Sequence, residues 1–152
     1  MRRLTCVVLL VGLAVCSWAL PAGADAAYHA SHLPLHATGN APLRSGFVEN
    51  IHANGPTVYA HENYIVNGAD PNASYQVVLS IWATNTACSG TPTLEIPTAV
   101  LTTNGAGNGS AYVVFRPEDA GDLRGSTVSG MWTLTTDGSV DYATGCEVIT
   151  LD

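Results

Sequence analysis

The feature that most restricts how this chain can fold is an alternation of short β-rich runs with turn clusters, which begins at Ser45. The runs are rich in Val, Thr, Tyr and Ile, and Gly, Asn, Asp or Pro separates each run from the next. Short strands at regular spacing with turn signals between them are typical of an all-β sandwich or barrel. The pattern predicts about seven antiparallel strands. They cover residues 45–53, 57–66, 75–84, 97–104, 109–116, 126–136 and 140–151.

Side-chain alternation and turn residues support the assignment to strands. The third run has period 2, but apolar side chains occur on both faces, so the sequence leaves open which face points inward. Asp137-Gly138 is a two-residue hairpin signal. Pro117 is followed by two acidic residues, which favours one helical turn that crosses between the sheets. The two faces of the third run carry Tyr75, Val77, Leu79 and Ile81 on one side, and Gln76, Val78, Ser80 and Trp82 on the other.

The N-terminus has the pattern of a secretory signal peptide over residues 1–26. Two arginines precede an apolar run, and two A-x-A sites follow it, so we expect cleavage after Ala24 or Ala26. The apolar run is about 17 residues long, a little short for a membrane span. An uncleaved anchor and a lipoprotein attached at Cys16 are the alternatives. The expectation is a secreted, extracellular protein with no membrane span after cleavage.

Residues 27–43 lie between this signal and the β-rich region. Pro34, Gly39 and Pro42 interrupt any periodic pattern, so the segment is predicted to be a flexible N-terminal arm. Residues 44–152 then form one β-sandwich domain, whose length is sufficient for a hydrophobic core.

Two of the four cysteines lie in the signal, which leaves Cys88 and Cys146. Two cysteines in an exported chain are expected to form a disulfide. The bridge would close a loop of roughly 58 residues, and loop-closure entropy values such a bridge at about 4 kcal/mol. Two free buried thiols are the alternative.

The charge of the chain limits its partners. The formal net charge is −7, and all five basic side chains are arginines. An acidic surface repels phosphate, so nucleic acid and anionic lipid are poor candidates. We expect a partner outside the cell, which the sequence leaves open between a protein, a glycan and a small molecule.

Three histidines, His29, His32 and His36, raise the hypothesis of a metal site. Three imidazoles at this spacing could gather one ion, but no rigid element holds them, and a metal site needs a shell that orients its ligands. Cleavage after Ala26 would also give a chain beginning Ala27-Tyr28-His29, a pattern that suits Cu(II) or Ni(II). The alternative, a solvated linker without bound metal, is favoured, and no cofactor is expected.

No catalytic motif is complete. His61-Glu62 is half of a zinc-protease signature, but position 65 is Ile instead of His, and the chain has no G-x-S-x-G phrase. The sequence therefore predicts that the protein is not an enzyme.

The large aromatic residues of the strand region could form a ligand surface if several lie exposed on one sheet. The alternative is that they pack in the core. The candidates are Trp82, Trp132, Tyr112 and Tyr142.

Two resemblances follow from these residues. The segment 66–79, with Pro71, Tyr75, Val77 and Leu79, resembles the P-x-x-x-Y-x-V-x-[VL] phrase of immunoglobulin-like and fibronectin-type sandwiches, in which the tyrosine holds a corner between the sheets. Tyr75-x-Val77, Trp82, Cys88 and the segment 103–111 also resemble the secreted chromoproteins of actinobacteria. That similarity implies an immunoglobulin-like bacterial sandwich that carries an antibiotic.

These observations predict a secreted, non-catalytic module that binds something outside the cell. The alternative, which the chromoprotein resemblance implies, is a carrier that holds a small apolar ligand in a cleft of the sandwich.

Overall fold

The structure is a computed structural model that describes residues 29–52, 60–84 and 87–151. In these ranges the chain forms two antiparallel sheets and no α-helix, which confirms the predicted all-β, sandwich-like fold. The strands are β1 (His29–Pro34), β2 (His36–Ala37), β3 (Ser45–His52), β4 (Ala60–Asn67), β5 (Ser74–Trp82), β6 (Leu94–Thr102), β7 (Gly109–Val114), β8 (Thr127–Thr136), β9 (Ser139–Ala143) and β10 (Glu147–Thr150).

The four-stranded sheet has the order β1-β3-β4-β7, and the six-stranded sheet has the order β2-β9-β8-β5-β6 with β10 on β8. The last predicted run, 140–151, divides into two strands. Strand β9 pairs with residues 133–136 of β8 and β10 pairs with residues 127–130. Thr144 lies between the two strands, and its hydroxyl accepts the backbone N–H of Trp132 at 3.1 Å. This contact gives the backbone of β8 a hydrogen-bond partner in the gap between the end of β9 and the start of β10.

The sequence predicts a flexible arm over residues 27–43, but the structure shows two strands within it. His29–Pro34 form β1 and His36–Ala37 form β2. Strand β1 pairs with β3 along six residues, and β2 pairs with β9 of the other sheet. The side chains of Leu33 and Leu35 are buried in the core, which fixes the segment in place. Pro34 interrupts the sequence pattern, but β1 is an edge strand, where a missing N–H removes no bond to a neighbouring strand.

The core fills the space between the two sheets. From the third predicted run, the face of Tyr75 to Ile81 points inward, and all four of its side chains are buried. Val48 and Tyr64 cover them from the four-stranded sheet, and both are fully buried. Each large apolar side chain buried in this way contributes about 1.5–3 kcal/mol.

Specific turn residues shape three of the connections between strands. In the loop between β6 and β7, Gly107 has φ +72°, and an added Cβ would overlap the carbonyl oxygen of Ala69. As predicted, Asp137-Gly138 forms a two-residue hairpin between β8 and β9 with positive φ at both positions. Residues Pro117–Leu123 contain the predicted helical turn as 3-10 structure with a kink at Gly121, and they connect β7 to β8, which lie in different sheets.

Cys88 and Cys146 form the predicted disulfide, with their Cα atoms 5.6 Å apart. The bridge joins the connection between β5 and β6 to the residue before β10. No helix in the described ranges is long and apolar enough to span a membrane.

Candidate functional site

The four aromatic residues predicted as a ligand surface do not share one exposed face. Trp132 and Tyr142 are fully buried, because the alternation of their strands turns them into the core. Trp82 is 6 % exposed, and its indole N–H donates to the carbonyl of Gly90 at 3.2 Å. Tyr112 differs from these three, because it is 70 % exposed. Of the predicted surface, Tyr112 is therefore the residue available to a ligand.

The predicted histidine site is divided between the sheets. His32 lies on β1 of the four-stranded sheet, and His36 is exposed on β2 of the six-stranded sheet. The backbone of His29 belongs to β1, but its side chain lies outside the described part, as do Ala27 and Tyr28. Among the residues that the structure describes, no group of three or more His, Cys, Asp or Glu side chains is placed to hold a metal ion.

Tyr112 belongs to a row of side chains that crosses the outer face of the four-stranded sheet. The strand register places His32 opposite Glu49, Glu49 opposite Asn63, and Asn63 opposite Tyr112. We call these four residues the outer row. Neighbouring strands are about 4.8 Å apart, so the row is about 14 Å long.

The outer row has aromatic rings at its ends and hydrogen-bonding groups in its centre. The Asn63 amide donates to Glu49 Oε2 at 3.1 Å, which holds the two central side chains together. At one end, the His32 ring packs on Phe47 with the ring centroids 4.1 Å apart. At the other end, Tyr112 is next to the exposed Val114 on the same face of β7. Such a surface can stack against a ligand at both ends and bind its polar groups between them.

The opposite side of β4 carries a buried acid, Glu62, which is 1 % exposed. The indole N–H of Trp132 donates to Glu62 Oε2 at 2.8 Å, and the Tyr64 hydroxyl makes a short hydrogen bond to the same oxygen. The Asn50 amide nitrogen lies 3.4 Å from Oε1. Tyr64 also contacts the Thr98 hydroxyl at 2.8 Å. We call these five residues, from both sheets, the inner cluster.

Burial changes the acidity of the inner cluster. Loss of hydration raises the pKa of Glu62 from 4.5 to about 7, although the hydrogen bonds from Tyr64 and Trp132 act in the opposite direction. Burial, and secondly the negative charge of Glu62, raise the pKa of the Tyr64 phenol far above its ordinary value. Tyr64 therefore remains a hydrogen-bond donor, while the Glu62 carboxyl changes its charge near neutral pH.

No sequence motif predicts the inner cluster, because Glu62 belongs only to the incomplete zinc-protease signature His61-Glu62. The signal lay in the alternation of β4. Glu62 shares its side of the strand with Tyr64 and Val66, which are both fully buried. An acid in phase with apolar residues on a strand is predicted to face the core.

Comparisons with known proteins give no relative for this chain: no family model, curated protein or solved structure matches it.

Proposed function

We propose that the protein is a secreted, non-catalytic module that binds an extracellular ligand on the outer row. The observation that supports this proposal best is the position of Tyr112. It is the most exposed of the large apolar side chains in the described part, and it lies in line with three side chains that can form hydrogen bonds or stack. Exposed aromatic residues on a sheet surface are a common feature of binding sites.

The chemistry of the outer row favours a glycan chain as the ligand. Sugar rings have apolar faces that stack on aromatic rings, and hydroxyl groups that bond to the carboxylate of Glu49 and the amide of Asn63. The row contains neither Arg nor Lys, and the chain has a net charge of −7, so an anionic ligand would be repelled. A row about 14 Å long suits an extended chain better than one small molecule.

The experiment is depletion of the purified protein from solution by insoluble polysaccharides, with cellulose, chitin and peptidoglycan as probes. Val100→Ala is the matched control, because Val100 is 59 % exposed but lies on β6 of the other sheet. We expect at least one polysaccharide to retain the wild type. Loss of ring stacking by about 1 kcal/mol would weaken retention of Tyr112→Ala about fivefold.

The same samples separate this proposal from its alternatives. Equal retention of Tyr112→Ala and Val100→Ala would contradict a site on the outer row, and no retention by any probe would contradict the glycan. A carrier of apolar ligands would instead take up an apolar dye, and that uptake would not depend on Tyr112.

A further inference from the structure

The inner cluster lies directly beneath the outer row. Glu62 and Asn63 are consecutive residues of β4, so they point to opposite sides of the sheet. The neighbouring strand repeats this arrangement, with Val113 opposite Glu62 and Tyr112 opposite Asn63. A change at the Glu62 carboxyl therefore acts on the two strands that carry half of the outer row.

The Glu62 carboxyl also joins the two sheets. It accepts the indole N–H of Trp132, which belongs to β8 of the six-stranded sheet. The Tyr64 hydroxyl, which bonds to the same carboxyl, reaches Thr98 on β6 of that sheet. The inner cluster is thus a polar connection between the two sheets through the core.

Burial favours a protonated carboxyl, whereas the hydrogen bonds donated by Trp132 and Tyr64 favour the charged form and only partly offset the effect of burial. Glu62 Oε2 accepts from Trp132 and Tyr64, while Oε1 faces the Asn50 amide. The Asn50 Oδ1 atom is buried without a hydrogen-bond partner in the described part. Rotation of the amide by 180° exchanges Nδ2 and Oδ1. A protonated Oε1 can then donate to Oδ1, while Nδ2 moves to the position at which Oδ1 had no partner. An ionised carboxyl instead keeps Asn50 Nδ2 as a donor to Oε1 and leaves Oδ1 without a partner, so one Asn50 atom lacks a partner in either state.

Two titratable side chains of the described part lie on the same side of the four-stranded sheet as Glu62, those of Tyr64 and His52. On β4 the titratable neighbour is Tyr64, and on β3 His52 lies on the same side as Asn50. Strand β7 contributes Val113, and β8 and β6 contribute Trp132 and Thr98, which are all uncharged. At the margin between β1 and β10, Ser31 donates to Glu147. The arginines of the described part are exposed; they are Arg44, Arg116 and Arg124.

We propose that protonated Glu62 acts as a latch that holds the two sheets together beneath the outer row, and that its ionisation loosens β4 and β7. A carboxylate in this apolar setting gains hydration when the strands open, so the charged form favours opening. Where the proposed function holds, the ligand binds better when Glu62 is protonated, because the outer row is then held rigid. By linkage, bound ligand raises the proton affinity of Glu62.

The latch is tested without any ligand, by NMR of the purified protein between pH 4 and 9. We expect the Glu62 carboxyl carbon and the Trp132 indole N–H to report one shared transition near neutral pH. Relative to Glu62→Gln, amides of β4 and β7 in the wild type should exchange at least tenfold faster at pH 8 and at the same rate at pH 5. Glu118→Gln, which removes an exposed carboxylate, should behave as the wild type.

A Glu62 carboxyl that titrates below pH 5 would overturn the latch, and the wild-type titration alone decides this even where a variant fails to fold. Exchange in β4 and β7 that matches Glu62→Gln at both pH values would also overturn it. Because neither readout needs a ligand, a failure of glycan binding leaves the latch standing, and a failure of the latch leaves the outer row as a binding site.

Discussion

Replacement of Glu62 by Gln should make the protein more stable at pH 8, although Glu62 makes several hydrogen bonds in the core. Gln has nearly the same shape, and its amide oxygen can still accept from Trp132 and Tyr64. Its amide nitrogen can donate to Asn50 Oδ1 once the Asn50 amide rotates by 180°, because in the structure the Asn50 Nδ2 atom faces this position. The substitution therefore removes ionisation and retains the other interactions of the inner cluster.

The size of the effect follows from the pKa of Glu62, which burial raises from 4.5 to about 7. The folded protein binds this proton more tightly than the unfolded chain does. The stability that the proton contributes is therefore fully present below pH 4.5 and is lost as the pH rises through about 7. A pKa difference of one between the folded and unfolded states changes the unfolding free energy by about 1.4 kcal/mol. The full difference, from 4.5 to about 7, therefore corresponds to about 3 kcal/mol.

The assay is chemical denaturation with the disulfide intact, followed by tryptophan fluorescence at several pH values between 4 and 9. The difference in unfolding free energy between Glu62→Gln and the wild type cancels the other titrating groups. We expect this difference to be near zero at pH 4.5 and to reach about 3 kcal/mol in favour of Gln at pH 8. In a domain of this size that corresponds to a midpoint higher by more than about 10 °C.

Two results would refute this reasoning. A difference that is constant with pH would mean that Glu62 does not change protonation on unfolding. A difference that moves in favour of the wild type as the pH rises would mean that the donors of Trp132 and Tyr64 stabilise the carboxylate more than burial destabilises it. Glu118→Gln should show neither trend, because that side chain is exposed.

Three further outcomes test the fold. Serine at both bridging cysteines should lower the unfolding free energy by about 4 kcal/mol in non-reducing denaturation, and an unchanged value would mean that the bridge is absent in the purified protein. Gly107→Ala should destabilise by at least about 2 kcal/mol, because its Cβ would overlap the carbonyl of Ala69, whereas Gly145→Ala has open space and should change stability little. Leu33→Ala should lower the unfolding free energy by about 2–5 kcal/mol, and Pro34→Ala should lower it much less. Equally small losses for both variants would mean that β1 does not pack against the core.

Much of the fold could be predicted from local sequence signals, because strands and tight turns depend on short-range chemistry. Asp137-Gly138 requires positive φ at two positions, which few residue pairs tolerate, so the hairpin was predictable. The place of β1 was not, since Pro34 ends most patterns and only the strand order shows that it lies at an edge. Which strands pair, and which side chains cover a given residue, depends on how the sheets assemble and not on the local sequence.

The candidate site could likewise be predicted only in part from local sequence signals. Tyr112 was predicted as a surface residue together with three aromatic residues that are in fact buried. The prediction failed for those three because the aromatic type of a residue does not show which way its side chain points from the strand. The outer row depends on register, which joins residues from four strands. Glu62 was missed for a different reason: a charged residue at an inward position contradicts the usual pattern, and its role depends on Trp132, 70 residues later in the chain.

The alternation of β4 gives a reason to connect Glu62 with regulation. A shift of β4 by one residue would turn Tyr64 and Val66, both fully buried, toward solvent, so apolar burial already specifies the register. Glu62 is therefore not required for register, and its burial raises the pKa of its carboxyl to about 7. A glutamine would satisfy the donors of Trp132 and Tyr64 equally well. What the carboxyl adds is a dependence on pH, located one residue from the centre of the outer row.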